Sequence, residues 1–378
     1  MIRTERQHKE PGILLLLRLL LGLVFLFSSF VKGVDPLGTS YKVEDYLMVF
    51  GWNVLIPYAL VLSYGVILLE FLLGFALVFK AFLKQTLWAT LLVLIFFTVL
   101  TYVDARQNLV SDCGCFGDAV KLTNWQTFYK NIGLLVVLLI LLLAQFRYRV
   151  VSLKSGRAVL LLFFAAIALV SFMSYNLMHL PIIDFRPWKV GQVFHSANQD
   201  KQKVFVSYRN KKTGQVKEFL FPDYPWRDST WMKQWVFVGQ RVEKNKSTNP
   251  VLVIQDSTGA DRFQDVFAGK GFHLVLVSYD IRESNSEAFR KMEELTPLIK
   301  QDSVQTVLLT ASDRTYTRQV LSEYGLKMPV YFADEVTLKA MIRSNPGLIL
   351  LHNGVLIKKW AFQDFPTPEH MKNRLDGL

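Results

Sequence analysis

The stretch "YGVILLEFLLGFALVF", Tyr64–Phe79, holds one charge, Glu70, in sixteen residues. It has no polar face, so it does not read as a surface helix of a water-soluble domain. Extended back to Leu55 it exceeds the ~20 apolar residues needed to cross a bilayer. Four more runs of this kind surround it: Ile13–Val31, Leu87–Val103, Ile132–Phe146 and Val159–Leu177. The run Ile132–Phe146 is short and is expected to gain length from the amphipathic stretch around Trp125. No run after His179 qualifies, although 51% of all residues are hydrophobic. The chain therefore divides into a membrane half and a soluble half. The first span carries Arg18, is longer than a secretory h-region and precedes no A-x-A-like site, so it is read as retained rather than cleaved.

Loop charges set the expected orientation. The N-terminal tail, the turn after the second span and the turn after the fourth hold nine Lys and Arg residues, among them Arg3, Lys80 and Arg149. The other two loops hold five basic residues offset by six acids. The basic side is expected in the cytoplasm, which places the loop after the third span and the whole soluble half outside, in a bacterial inner membrane. The net charge of +12 is then mostly topology and membrane-lipid contact, not a nucleic-acid site.

The outward loop reads "SDCGCFGD", Ser111–Asp118, and contains both cysteines of the chain, Cys113 and Cys115. Outside the cytoplasm such residues are commonly disulfide-bonded. As a staple the pair is weak: closing a three-residue ring is worth about 1.6 kcal/mol in the loop-closure model, against about 3 for fifteen residues. The ring also needs a tight turn, for which Gly114 supplies the freedom. A poor staple makes a good redox switch. Two alternatives stay open, an incidental structural pair and a two-thiolate copper site. No closed metal site is expected, since no His lies nearby. Asp112 and Asp118 bracket the pair, either disfavouring thiolate or acting as turn residues.

"DCGCFGD" between the third and fourth spans, with the Glu-bearing second span, resembles the MauE branch of the DoxX-like membrane proteins over about residues 10–150. The resemblance implies a four-helix bundle that makes or relays disulfides, with quinone as a candidate cofactor. It is broadly similar to the vitamin K epoxide reductase and DsbB-type enzymes but lacks their separate C-x-x-C pair. Glu70 lies ten residues from Lys80, about 15 Å along a helix, and Arg18 a similar distance or less from the same side. Ionisable residues at that depth suggest function; the alternative is a Glu70 paired with Arg18 or with backbone. Both are expected in the inner half, with Glu70 out of direct reach of the cysteines.

The soluble half opens on "HLPIIDFRPWKVG", Leu180 onward being extracytoplasmic. Val204–Tyr208 and Val216–Phe221 alternate around "RNKKTG" as a hairpin, and Trp226, Trp231 and Trp235 follow, as a membrane-facing belt or as core. From Asn249 strands and helices alternate: strands Val251–Gln255, Leu274–Ser278, Val304–Thr310 and Val330–Phe332, helices Glu287–Lys300, Thr315–Tyr324 and Glu335–Ile342, and a hairpin turned at Asn353-Gly354. The run "YGLKMPVYFADEVTLKAMIRSNPGLILLHNGVLIKKW", Tyr324–Trp360, resembles the thioredoxin-like fold in its TlpA and peroxiredoxin-like members. That resemblance puts Pro346 at the family's cis-proline, beside which partner peptides would bind. The loop that should carry Cys-x-x-Cys reads "SYDIRESNSEAF", Ser278–Phe289, without cysteine, so this domain exchanges no thiols.

The expected architecture is an α-helical membrane bundle, 1–150, a fifth span, 151–180, a small β-rich segment, 181–248, and an α/β thioredoxin-like domain, 249–378. The expected function is envelope thiol-disulfide redox chemistry at Cys113 and Cys115, with Gly114, Asp112, Asp118, Glu70 and Arg18 in support and thiol proteins as partners. The competing class is a non-enzymatic scaffold or assembly factor, which leaves open whether the chain is an enzyme.

Overall fold

A computed structural model describes residues 10–110, 114–148, 152–194, 204–220, 223–225, 228–242, 253–301 and 304–377. The chain divides into two compact units, with the boundary in sequence between Asn176 and Leu177.

The first unit contains α1 (Gly12–Val34), α2 (Pro36–Val49), α3 (Ala59–Phe79), α4 (Leu83–Gln107), α5 (Asn124–Arg147) and α6 (Ser155–Met178). Among the described residues, five segments are long and apolar enough to cross a membrane: α1, α4, α5 and α6, and α3 together with the 3-10 turn before it. α5 gains its expected length at the Trp125 end, where the Thr123 hydroxyl and Gln126 form a reciprocal capping box. α1, α3, α4 and α5 share one core of Leu21, Phe25, Leu77, Leu87 and Leu138. α6 lies beside α3, through Ile67 against Leu169 and Met173. This is a four-helix core plus a fifth span. Large side chains such as Val61, Leu92 and Leu143 are exposed on it, as a lipid-facing surface requires.

α1 and α3 cross where Gly22 meets Gly74. A methyl group on Gly74 would stand 2.8 Å from the Gly22 carbonyl and 2.9 Å from the Leu26 nitrogen. This close approach presses everything on either side of the crossing together. The short helix α2 was absent from the sequence reading. Asp35 caps it by accepting from the Gly38 N–H, and Pro36 occupies its first turn.

The second unit has two sheets. β1 (Val204–Asn210), β2 (Val216–Leu220) and β3 (Trp235–Val242) form an antiparallel sheet in the order β2-β1-β3, and α7 (Ser229–Gln234) precedes β3. Its core is Val206, Tyr208, Tyr224 and Trp235, with Trp231 packed against it. Trp231 and Trp235 thus serve the core, and Trp226 lies outside the described residues.

The larger sheet has the order β6-β5-β4-β7-β8, formed by β4 (Phe272–Ser278), β5 (Gln305–Thr310), β6 (Val330–Phe332), β7 (Gly347–His352) and β8 (Val355–Ala361). β4, β5 and β6 are parallel; β7 and β8 run antiparallel. Alternation along β4 divides its side chains between two cores. Val275 and Val277 face α8 (Phe263–Phe267) and α11 (Glu335–Met341). Leu274 and Leu276 face α9 (Ser286–Gln301), α10 (Arg314–Glu323) and α12 (Pro368–Asp376). The Asn345–Pro346 bond before β7 is cis. This order, with helices on both faces, is thioredoxin-like. The expected strand Val251–Gln255 is corrected: Val251 and Leu252 lie outside the described residues, and Gln255 makes only isolated bridges to Asp261 and Phe332. An apolar run of five is too short for its composition to separate a strand from an extended segment with single bridges.

Candidate functional site

α4 ends at Gln107, and the chain turns back to α5 at Asn124 through the cysteine loop. The base of the loop is held by Asp104, a fully buried carboxylate. It accepts from the Val110 N–H at 2.9 Å and the Tyr46 hydroxyl of α2 at 3.2 Å. The Asn124 side-chain amide donates to the Val110 carbonyl at 3.0 Å. Sequence reasoning counted Asp104 and Arg106 among the loop charges, but both belong to the last turns of α4. No sequence signal marked Asp104, since its hold on the Val110 N–H, six residues on, is visible only in the fold.

Ser111, Asp112 and Cys113 lie outside the described residues. Gly114 has φ +62°, the left-handed region that its lack of a Cβ permits, and a methyl there would stand 3.2 Å from Lys42 Cγ. Cys115 is half-buried, and so is Asp118. The turn is closed by the Gly117 N–H donating to the Gly114 carbonyl at 3.0 Å. Phe116 tucks against Phe27 of α1, ring centroids 5.4 Å apart, and Lys130 of α5 caps its face at 4.5 Å. The aromatic ring is the plug that seats the loop.

The loop touches buried polar groups of the bundle. The Cys115 carbonyl lies 2.8 Å from the Ser28 hydroxyl of α1, and the same hydroxyl lies 2.9 Å from Glu70 Oε2 of α3. Glu70 Oε1 accepts from Lys32 Nζ at 2.6 Å. Ser28, Lys32 and Glu70 are all buried. Glu70 is therefore one side chain away from Cys115. Glu70 and Cys115 make no direct contact among the described residues, and Ser28 bridges them; counting helical rise fixes the depth of a helical residue, but does not foresee such a bridge to a connecting loop.

Arg18 is corrected. It does not pair with Glu70 but with Glu10, at 2.9 Å, and it donates to the carbonyls of Leu77 and, at 2.9 Å, Val78. Lys80 joins Glu10 at 2.7 Å. The Gly22–Gly74 crossing separates two charged layers, Glu10–Arg18–Lys80 on one side and Ser28–Lys32–Glu70 on the other. Each polar group meets a partner, which is what makes burial of such groups tolerable.

Pro346, the second candidate, sits in a loop that binds its own neighbours. The Asn285 N–H donates to the Asn345 carbonyl at 3.2 Å, and the Asn345 side-chain amide donates to the Asp280 carbonyl. Ser284 donates to Asn345 Oδ1 at 3.2 Å and shares a 2.7 Å contact with Ser278. Serine and asparagine side chains thus knit together the place where the thioredoxin-like resemblance puts thiols.

Among the described residues, no group of three or more His, Cys, Asp and Glu side chains is gathered for a metal ion. A quinone would need donors for its two carbonyls. The buried donors beside the cysteine loop, Ser28 and Lys32, are engaged by Glu70 and Cys115, so they do not fit that group.

No curated protein matches the chain. Among solved structures it is similar to the bacterioferritin comigratory protein of Xanthomonas campestris, at 10% identity, covering 33% of this chain and 87% of that one with a TM-score of 0.24. It is also similar to the mitochondrial 2-Cys peroxiredoxin of Plasmodium falciparum, at 9% identity, covering 50% and 92% with a TM-score of 0.23. The fold of the second unit rests instead on its strand order. Residues 10–144 match the model of the family described as methylamine utilisation protein MauE, so it is to that family that the membrane region of this chain is similar.

Proposed function

We propose that the chain is a bacterial inner-membrane thiol-disulfide redox protein in which Cys113 and Cys115 cycle between disulfide and dithiol. The N-terminus would face the cytoplasm and the second unit the periplasm. The observation that carries the reading is the seating of Cys115: its carbonyl meets a buried Ser28–Glu70–Lys32 set. An incidental pair on a surface loop has no need of buried charge beneath it, and ionisable groups at membrane depth are rarely idle.

The exchange is balanced with a thiol protein as co-reactant. A partner thiolate attacks one sulfur of the Cys113–Cys115 disulfide, a mixed disulfide forms, and the other cysteine leaves as thiolate. The partner's second thiol, once deprotonated, then attacks the mixed bond. The partner ends as a disulfide and the pair as a dithiol, with two electrons and two protons transferred; the reverse sequence oxidises the pair. The described residues give the second unit no thiol for this chemistry, and the sequence holds no further cysteine. Its role is to dock partners near the membrane.

Trapping tests the reading. Cys113→Ala and Cys115→Ala chains, expressed in the envelope and quenched with acid, are expected to yield mixed disulfides with thiol proteins from one of the two variants. Absence of adducts from both, together with a wild-type pair that never exchanges with glutathione, would favour the scaffold reading.

A further inference from the structure

β6 lies at one edge of the larger sheet, and one of its residues is left open. The Leu308 N–H donates to the Pro329 carbonyl at 2.9 Å, and the Ala333 N–H to the Thr310 carbonyl at 3.1 Å. In that parallel ladder Pro329 and Tyr331 turn their backbone bonds to β5, so Val330 and Phe332 turn theirs away. Phe332 is occupied, since it exchanges two 2.8 Å bonds with Gln255. Beyond Gln255 the chain leaves the strand, because the Asp256 N–H donates to the Ala260 carbonyl at 3.0 Å and closes a turn. The N–H and C=O of Val330 therefore face the place where a neighbouring strand would lie.

That place is a groove of about 460 Å³ lined by the Asp256 turn, β6 and α10. Leu321 and Leu326, both buried, form its floor. Its rim is basic: Arg314, Arg318 and Lys327 line it, and all three are exposed. Among the described residues none of the three has an acidic partner. The acid of the lining, Asp256, is engaged elsewhere: Oδ1 accepts from Thr258 and Ala260, and Oδ2 from Arg262 at 2.9 Å. Lys327 and Pro329 are of the kind that guards an edge against pairing between copies. Two arginines on a helix have no such use. Four residues apart, they are neighbours on α10, where like charges weaken a helix.

We propose that this groove docks an extended acidic segment of a partner protein. The segment adds beside Val330 as a short strand and sets its carboxylates against Arg314, Arg318 and Lys327. Backbone bonds to Val330 supply the register, and the three cations select the charge. The site gives a place and a chemistry to the docking role of the second unit, and rests on the redox reading only for its purpose.

The test uses the full chain in non-ionic detergent and a fluorescein-labelled peptide of alternating Glu and Val, read by anisotropy at low salt. Wild type is expected to bind it, to ignore the peptide in which Lys replaces Glu, and to lose it as salt rises. Arg314→Glu with Arg318→Glu is expected to weaken binding about tenfold, and Arg314→Lys with Arg318→Lys to retain it. Lys358→Glu with Lys372→Glu makes the same change of net charge on β8 and α12, where Arg374 of α12 lies over Trp360 at the opposite edge of the sheet. That control is expected to bind as wild type does. Methylating the backbone nitrogens of the peptide is expected to abolish binding, because an added strand must donate to the Val330 carbonyl. No binding to wild type, wild-type binding by the doubly reversed arginine variant, an equal loss in the lysine control, or equal binding of the methylated peptide would overturn the proposal. Displacement by equimolar inorganic phosphate, or by equimolar phosphatidylglycerol mixed into the detergent, would overturn it too, by assigning the groove to a free anion or to lipid. A chain that binds the peptide while its cysteine pair never exchanges with glutathione strikes the redox reading and leaves the groove standing.

Discussion

Gly22 and Gly74 meet backbone to backbone, and their contact holds two charged layers at a fixed separation along α1 and α3. Enlarging either residue pushes the helices apart. Gly74→Leu is expected to cost at least the ~1–3 kcal/mol typical of overpacking, and to loosen Ser28 from Glu70 as well. A lower melting temperature in detergent and faster exchange in the cysteine loop are the readouts.

Gly114→Val forces a β-branched side chain into φ +62° and toward Lys42 Cγ. Backbone of that kind costs on the order of 1–3 kcal/mol for a residue other than glycine. The turn opens, and the Cys113–Cys115 disulfide becomes harder to form. In glutathione buffers the variant is expected to be more reduced than wild type, as read by alkylation and mass shift; unchanged ratios would mean the turn does not govern the pair.

Tyr224 and Asp334 tie the small sheet to the large one. The Tyr224 hydroxyl donates to Asp334 Oδ1 at 2.6 Å, and Asp334 also caps α11 by accepting from the Thr337 N–H. Burial pushes the Asp334 carboxyl above its ordinary range, and the hydrogen bonds from Tyr224 and Thr337 only partly offset it. Tyr224→Phe removes one donor from a buried acceptor, a loss of about 1–3 kcal/mol. Tryptophan fluorescence during thermal unfolding is the measurement, because Trp231 and Trp235 pack around Tyr224.

Lys359 is buried and donates to Asp184, to the Trp188 carbonyl and to the Met341 carbonyl. Burial lowers its pKa to about 8, aided by the neighbouring Arg186, while Asp184 resists the shift. The folded protein therefore binds fewer protons than the unfolded chain between about pH 8 and the ordinary lysine range near 10.5. Stability contributed by this group is complete above that range and is lost as pH falls through about 8. From pH 8 to 10 the second unit is expected to gain on the order of 2 kcal/mol relative to a Lys359→Met variant. Parallel melts of the two proteins across that interval would contradict it.

The membrane spans were legible because hydropathy alone demands them, and the bundle core follows from runs such as Tyr64–Phe79. The apolar run Leu274–Ser278 as a buried strand and the Asn353-Gly354 hairpin were equally plain, since their signals are local. α2 was missed because it lacks a sustained apolar stripe, and β3 because its first residue, Trp235, read equally well as part of an interface belt. The Ser28–Glu70 contact was invisible for another reason. It joins residues 42 positions apart through a glycine crossing, and neither helical period nor loop charge encodes which faces meet. Asp104 escaped notice for the same cause, as a buried carboxylate looks like any loop acid until its partners are known.

The bond from Asn285 to Asn345 has a consequence for any attempt to add thiols to the second unit. Cysteines placed in "SYDIRESNSEAF" would enter a loop whose backbone and side chains are already bonded to one another. The Ser278–Ser284 and Asn345–Asp280 contacts would have to be undone before a thiol could work there. Two substitutions would therefore give this unit cysteines without giving it an exchange site.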